Sequence, residues 1–286
     1  MSPTATPKLS IVNYPFRSPP NLIYLVIYMT NNQGYIAVFD SGVGGISVLK
    51  RLMKQMPQER YLYYGDSANA PYGDRPEAEI LELTLAAVRQ ILTRPVKALV
   101  IACNTATAVA VDTLRQTYPG LPIFGIEPAL KPAAESYPAG LVGILCTTAT
   151  LESSRFQALL TRHLDRCNFV CIPVPELVPL VEQGIGNSRK TYKVLKKYLD
   201  PYYQKLDALV LGCTHYPFAS ASIRACLGNL PLLDGSIGTA AHVKRVLTRG
   251  GLLNPGPGEL LWENSSPDPK HLEVCKMLLP QALEEW

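Results

Sequence analysis

The sequence predicts an α/β protein built from two similar doubly wound domains, each with a mainly parallel sheet, and a candidate active site in the cleft between them. Three observations carry this. Short apolar runs alternate with longer amphipathic segments along the chain, and strands alternating with helices imply parallel strands, which need a crossover connection. The runs are continuously apolar rather than alternating, as strands buried on both sheet faces require. Finally, Ala98-Leu99-Val100-Ile101-Ala102-Cys103-Asn104-Thr105 is echoed about 110 residues later by Ala208-Leu209-Val210-Leu211-Gly212-Cys213-Thr214-His215. The shared order of strand, small residue, cysteine and polar residues puts one thiol at the carboxyl end of a strand in each domain. Open parallel sheets bind their ligands there.

The elements follow in order. Tyr35 to Phe39 is the first strand, ended by Asp40-Ser41-Gly42, and Gly45 to Met56 has helical spacing of Ile46, Leu49, Leu52 and Met53. Glu59 to Tyr64 reads as a strand, Pro76 to Leu92 as a helix with proline near its start, and Lys97 to Ile101 as a strand. A helix from about Thr105 to Tyr118 and a strand over Leu121 to Ile126 close the first set. A second set begins near Pro128. Its strands are Gly140 to Leu145, Asn168 to Ile172 and Asp207 to Leu211, and its helices are Leu151 to His163, Val178 to Gln183 and Ser188 to Tyr203.

Composition narrows the function classes. The 286 residues are 47% apolar, enough for two ordinary cores. The net charge of +4 is spread thinly, and its one dense basic run, Lys193 to Lys197, reads as a solvated helix face. No nucleic-acid partner is expected. Seven cysteines without regular spacing indicate reduced thiols in a cytoplasmic protein rather than a disulfide framework. Cys167 and Cys171 lack a second matching pair, so no metal site is read from them. Residues 1–34 form an N-terminal extension, rich in Ser, Thr and Pro over residues 1–20, with a short apolar run, Asn21 to Met29, that cannot span a bilayer. Lys8 and Arg17 precede that run, but no small-residue cleavage site follows it. The expectation is a disordered, dispensable segment, with Met29 a candidate functional start, and no membrane association.

Cys103 lies between a strand and a helix, where the helix amino terminus favours a thiolate. Cys213-Thr214-His215 adds an imidazole two residues from the second thiol, suited to handling protons at neutral pH. The other five cysteines read as packing residues, and His163, His242 and His271 as surface or packing residues. The loop Asp40-Ser41-Gly42-Val43-Gly44-Gly45 opens a helix and offers backbone N–H groups to an anion. It is neither a dinucleotide fingerprint nor a P-loop, which leaves a carboxylate ligand at least as well suited as a phosphate.

Together these segments resemble the glutamate racemases of the aspartate/glutamate racemase family. The matching stretches are Phe39 to Gly45, Gly65-Asp66-Ser67-Ala68-Asn69-Ala70-Pro71-Tyr72-Gly73, Ala102-Cys103-Asn104-Thr105-Ala106-Thr107, Gly125-Ile126-Glu127-Pro128-Ala129 and Leu211 to Pro217, in the family's order. The resemblance covers the chain from about Tyr35 onward. It implies a racemase that uses no cofactor or metal and moves the α-proton of glutamate between two cysteines, supplying D-glutamate for peptidoglycan. Cys213 would take the proton from L-glutamate and Cys103 deliver one to the opposite face, with Asp40 and His215 assisting Cys103 and Cys213 respectively. Glu182 matches an acid near the second thiol. Ser41, Pro71, Tyr72, Gly73, Asn104, Thr105 and Thr214 match substrate-binding positions, as do Thr147 and Thr150; Cys146 stands where the family usually has glycine. Asp40 and His215 belong to the binding set as well. The resemblance also implies a homodimer, and a first domain of residues 35–127 plus 236–286 against a second of 128–235. Two rivals share the same thiols: a racemase of another acidic amino acid such as aspartate, and a Cys–His thiol hydrolase built on Cys213 and His215, for which Cys103 would be dispensable. The modest charge gives no support to a noncatalytic role of the kind some glutamate racemases have toward DNA gyrase.

Overall fold

The structure, a computed structural model, describes residues 32–281. The extension expected over residues 1–34 lies outside these through residue 31. The chain then runs through β1 (Tyr35–Asp40), α1 (Ile46–Gln55), β2 (Arg60–Gly65), α2 (Glu77–Ile91), β3 (Val96–Ile101), α3 (Asn104–Thr117) and β4 (Ile123–Gly125). It continues with α4 (Leu130–Ser136), β5 (Leu141–Cys146), α5 (Thr148–Glu152), α6 (Ser154–Thr161), β6 (Asn168–Pro173), α7 (Leu177–Glu182), α8 (Arg189–Leu199), β7 (Ala208–Leu211), α9 (Ser220–Leu227) and β8 (Leu232–Asp234). The last elements are α10 (Ser236–Arg249), β9 (Glu259–Asn264) and α11 (Pro269–Leu278).

Two separate sheets result, ordered β4-β3-β1-β2-β9 and β6-β5-β7-β8, with every pairing parallel. Without the edge strand β9, they have one topology. The first strand of each set lies inside, the second pairs on one side of it, and the third and fourth on the other. Each sheet therefore has a switch point between its first and third strands, and the crevice there opens at the strands' carboxyl ends. Cys103 follows the third strand of the first sheet and Cys213 the third strand of the second.

Both faces of each sheet are covered, which is why the strands read as unbroken apolar runs. Every residue of β1 is buried. Ile36 and Val38 point into a core shared with α1, α10 and α11, while Ala37 and Phe39 point to the opposite core with α2 and α3. In the second sheet, Leu145 and Leu209 pack with α7, α8 and α9, and Val142 and Ile144 with α4 and α6. At the amino end of the first sheet Lys97 is fully buried, its Nζ 2.5 Å from Glu59 Oε2 and bonded to the carbonyls of Asn32 and Leu252. That pairing is what a lysine in a core strand requires.

Several elements differ from the sequence expectation, which names no counterpart for α4, α9, β8, α10 or α11. The helix read over Leu151 to His163 is two helices, because Ser153 takes an extended conformation and caps α6 through Phe156 N. The helix expected to reach Tyr203 ends at Leu199, and Pro201 falls in a 3₁₀ turn over Asp200–Tyr202 where its missing N–H costs little. β9 was not anticipated; its residues are only partly buried on the sheet edge, so they carry a weak apolar signal.

Candidate active site

The carboxyl ends of the two sheets face each other, and the predicted residues gather there. Cys103 is the N-cap of α3, its Sγ accepting the N–H of Ala106 at 3.4 Å and lying 3.3 Å from Ser41 Oγ. The side chain is 5% exposed. Burial, followed by the nearby Asp40 charge, pushes the thiol up to about 12, against the pull of its hydrogen bonds to Ser41 and Ala106. Cys103 therefore holds its proton at neutral pH in this closed arrangement.

Cys213 is 8% exposed, and its Sγ lies 3.6 Å from His215 Nδ1. The opposite ring nitrogen is 2.5 Å from Glu182 Oε1, on the last residue of α7. Burial alone would depress the imidazole, but Cys213 and Glu182 outweigh it and hold His215 well above its ordinary value. Burial likewise works to raise Glu182, yet the bonds from His215 and from Val43 N, with the charge of His271, leave it below the usual carboxylate range. His215 and Glu182 thus form a cation–anion pair beside the second sulfur.

Asp40 ends β1 between the two thiols' surroundings. Its Oδ1 accepts Gly42 N at 3.0 Å and its Oδ2 accepts Thr214 Oγ1 at 3.0 Å. Desolvation raises this fully buried carboxyl, opposed by His215 and those two donors. Beside it, Asn104 starts α3 with its Oδ1 buried and, among the described residues, without a hydrogen-bond partner. Thr105 Oγ1 reaches across to Thr147 Oγ1 at 3.1 Å and Thr150 Oγ1 at 3.3 Å, and Thr147 caps α5. The carbonyl of Gly73 accepts Ala149 N at 3.2 Å, so the loop of Pro71, Tyr72 and Gly73 joins the same cluster. Cys146, fully buried at the end of β5, packs in the core instead.

The glycine loop has a use that differs from the sequence expectation. Its Val43 N–H does bind a carboxylate, but that of Glu182, at 2.8 Å. A β-carbon on Gly42 would strike Glu182 Oε1, and one on Gly44 would strike His215 Nδ1 and lie 2.5 Å from Thr214 Oγ1. Glycine is required there because the second half of the chain closes directly on this backbone. Two further residues carried no local signal. Asp66 holds Tyr72 through its hydroxyl at 2.6 Å and so fixes the Pro71–Gly73 loop. His271, read from sequence as a surface or packing residue, places Nδ1 3.9 Å from Glu182 Oε2.

Two buried thiols, one at the carboxyl end of the third strand of each facing sheet and both set among polar side chains, can remove a proton from one face of a small molecule and return one to the other. Known proteins share this chain's sequence and fold. Residues 42–246 match the Asp/Glu/hydantoin racemase family. The chain is 44% identical over 247 residues to a glutamate racemase of Clostridium acetobutylicum, spanning 85% of this chain and 96% of that one. The crystal structure of glutamate racemase from Thermus thermophilus in complex with beta-chloro-D-alanine superposes with a TM-score of 0.75 at 36% identity, covering 89% of this chain and 96% of that one. Glutamate racemase from Francisella tularensis subsp. tularensis in complex with D-glutamate gives 0.77 at 28% identity, with 88% and 96% covered. By fold and sequence, the chain belongs to the aspartate/glutamate racemase family and groups with its glutamate racemases.

Proposed function

We propose that this isomerase interconverts L- and D-glutamate by passing the α-proton between Cys213 and Cys103. The observation that carries the reading is the placement of one thiol after the equivalent strand of each of two facing sheets. An amino-acid α-proton is a very weak acid, and inversion needs its removal on one face and delivery on the other. A single base returns the proton to the face it left, whereas a thiolate opposite a thiol does both tasks, each serving as base or acid according to direction. For L-glutamate, Cys213 is the base, supported by the His215–Glu182 pair, and Cys103 the acid, its raised thiol suited to donate. For D-glutamate the roles reverse.

Asp40, with the free Oδ1 of Asn104, suits the substrate ammonium, and Ser41, Thr214 and the Thr105–Thr147–Thr150 cluster, with the Pro71-Tyr72-Gly73 loop, suit its carboxylates. The pairing of β9 with β2 and the packing of α10 against α1 support assigning residues 35–127 and 236–286 to the Cys103 lobe and 128–235 to the Cys213 lobe. The family resemblance supports a cytoplasmic homodimer that feeds D-glutamate to peptidoglycan synthesis. Among the described residues no helix is long and apolar enough to cross a membrane.

The test incubates the protein, without added cofactor, with each enantiomer of glutamate and of aspartate, and follows optical activity. Racemisation of glutamate well ahead of aspartate is expected. Activity on aspartate alone would overturn the substrate assignment. An acyl-enzyme with an ester substrate, together with full activity of Cys103→Ala, would favour a thiol hydrolase.

A further inference from the structure

Two thiols that work in opposite senses leave the enzyme changed after each turnover. In converting L to D, Cys213 gains the substrate's α-proton and Cys103 loses its own. The protein then stands in the form that accepts D. Before another L molecule reacts, Cys213 must give up one proton and Cys103 must take one. Cys213 is buried in the closed cleft, so a relay through its neighbours lets it shed its proton without waiting for the cleft to open.

We propose that His271, on the first turn of α11, is the outer end of that relay, with proton exchange between Cys213 and solvent running through His215, Glu182 and His271. The two ring nitrogens of His215 face Cys213 Sγ at 3.6 Å and Glu182 Oε1 at 2.5 Å. The other carboxyl oxygen, Glu182 Oε2, is buried and, among the described residues, has no hydrogen-bond partner. It faces His271 Nδ1 at 3.9 Å, a gap that a small shift or a bridging water closes. The remaining titratable groups around this carboxylate are Asp40, Tyr63 and Cys275. All three are fully buried, whereas His271 is 28% exposed. Burial also pushes the Tyr63 hydroxyl and the Cys275 thiol up, so both keep their protons near neutrality. Of these neighbours only His271 reaches solvent; the Glu182 side chain is itself 13% exposed, but not at the buried Oε2 that faces the ring.

The transfer balances. Beside the Cys213 thiol the ring is neutral, protonated only on the nitrogen facing Glu182. The Cys213 S–H bond breaks as an N–H bond forms on His215 Nδ1, giving the imidazolium that pairs with Glu182, and the proton on the opposite ring nitrogen then passes to the Glu182 carboxylate. After the carboxyl group flips, that proton moves to His271 Nδ1, and the ring releases one from its other nitrogen to water. Cys103 takes a proton from solvent when the cleft opens, and D-to-L turnover runs the same path inward. His271 touches no reacting atom; it is a positioning residue that acts through Glu182.

The inference rests on the two-thiol reading, and its test separates the two. Initial rates of the full-length His271→Ala protein are measured in both directions over a range of glutamate concentrations, with and without added imidazole. At low substrate the free enzyme has time to reset, so kcat/KM is held. At saturation the reset limits turnover, and kcat falls about tenfold, short of the ~10²-fold or more of a group acting on substrate itself. Imidazole in solution substitutes for the missing ring and restores kcat in the variant, leaving wild type unaffected. A variant with wild-type kcat, or a loss that imidazole leaves in place, overturns the inference. A wild-type protein that fails to racemise glutamate overturns instead the reading on which it rests.

Discussion

Gly42→Ala probes the contact by which the two halves of the site support each other. The added β-carbon falls on Glu182 Oε1 and 2.8 Å from its carboxyl carbon. Gly42 does not have a positive φ, so the backbone itself accepts alanine and the clash is the whole perturbation. The carboxylate must withdraw, giving up its bonds to His215 Nε2 at 2.5 Å and to Val43 N at 2.8 Å. A hydrogen bond to a charged group is worth about 1.5–3 kcal/mol. If the bond to His215 is expressed in the transition state, kcat/KM falls by roughly 10- to 150-fold. Enantiomers have equal free energies, so the fall is the same for L-to-D and D-to-L when followed by circular dichroism. Exchange of the α-proton in deuterated water is not so constrained. With the Cys213 side impaired, D-glutamate is still deprotonated by Cys103 and returned, so its α-exchange outruns its inversion, while L-glutamate shows no such excess. Wild-type kcat/KM in Gly42→Ala, or equal excess exchange of both enantiomers, would refute the reasoning.

Further outcomes follow from the same geometry. Cys103→Ser, with a hydroxyl in place of the acid, loses on the order of 10²–10⁴ in kcat/KM yet keeps its fold, checked by racemisation rates beside a thermal melt; near-wild-type turnover would exclude the residue as a proton donor. His215 is held above its ordinary value of about 6.5 despite burial, so its contribution to stability is fully present below that pH and is lost as pH rises through its folded value. The stability gap between wild type and His215→Asn in urea melts therefore narrows on going to alkaline pH, and a constant gap would contradict the pairing. Lys97→Met leaves Glu59 buried without its 2.5 Å partner and costs about 3–5 kcal/mol in urea unfolding, with kcat unaffected because the pair lies at the far end of the sheet from the thiols.

Much of this protein is legible in its sequence for a physical reason. A parallel strand covered on both faces has to be apolar throughout, so β1, β3, β5 and β7 announce themselves as runs, and the repeated strand-to-cysteine junction marks equivalent positions in two sheets. β9 escapes because an edge strand is half solvated. The break at Ser153 escapes because an apolar period continues across a residue whose side chain caps the next helix. Within the site, the thiols and His215 can be picked out by local context. Glu182, Thr147 and Thr150 sit in stretches with no chemical signature and were reached through the family resemblance. Asp66 and His271 were missed altogether. Asp66 acts by holding another residue, and the contact of His271 with Glu182 joins chain segments far apart in sequence. The glycine loop was legible as a site whose backbone N–H groups bind an anion, but the carboxylate it binds is the chain's own.

The most direct test of the central claim follows the hydron itself. L-glutamate is converted in deuterated water to a small extent, and the D-glutamate formed is recovered and examined at the α-carbon by NMR or mass spectrometry. Two opposed thiols predict that the D product carries deuterium from its first appearance, delivered by Cys103, while the residual L-glutamate remains largely protiated. D-glutamate that retains the substrate's own α-proton would contradict the account, since a single group would then have carried that proton from one face to the other.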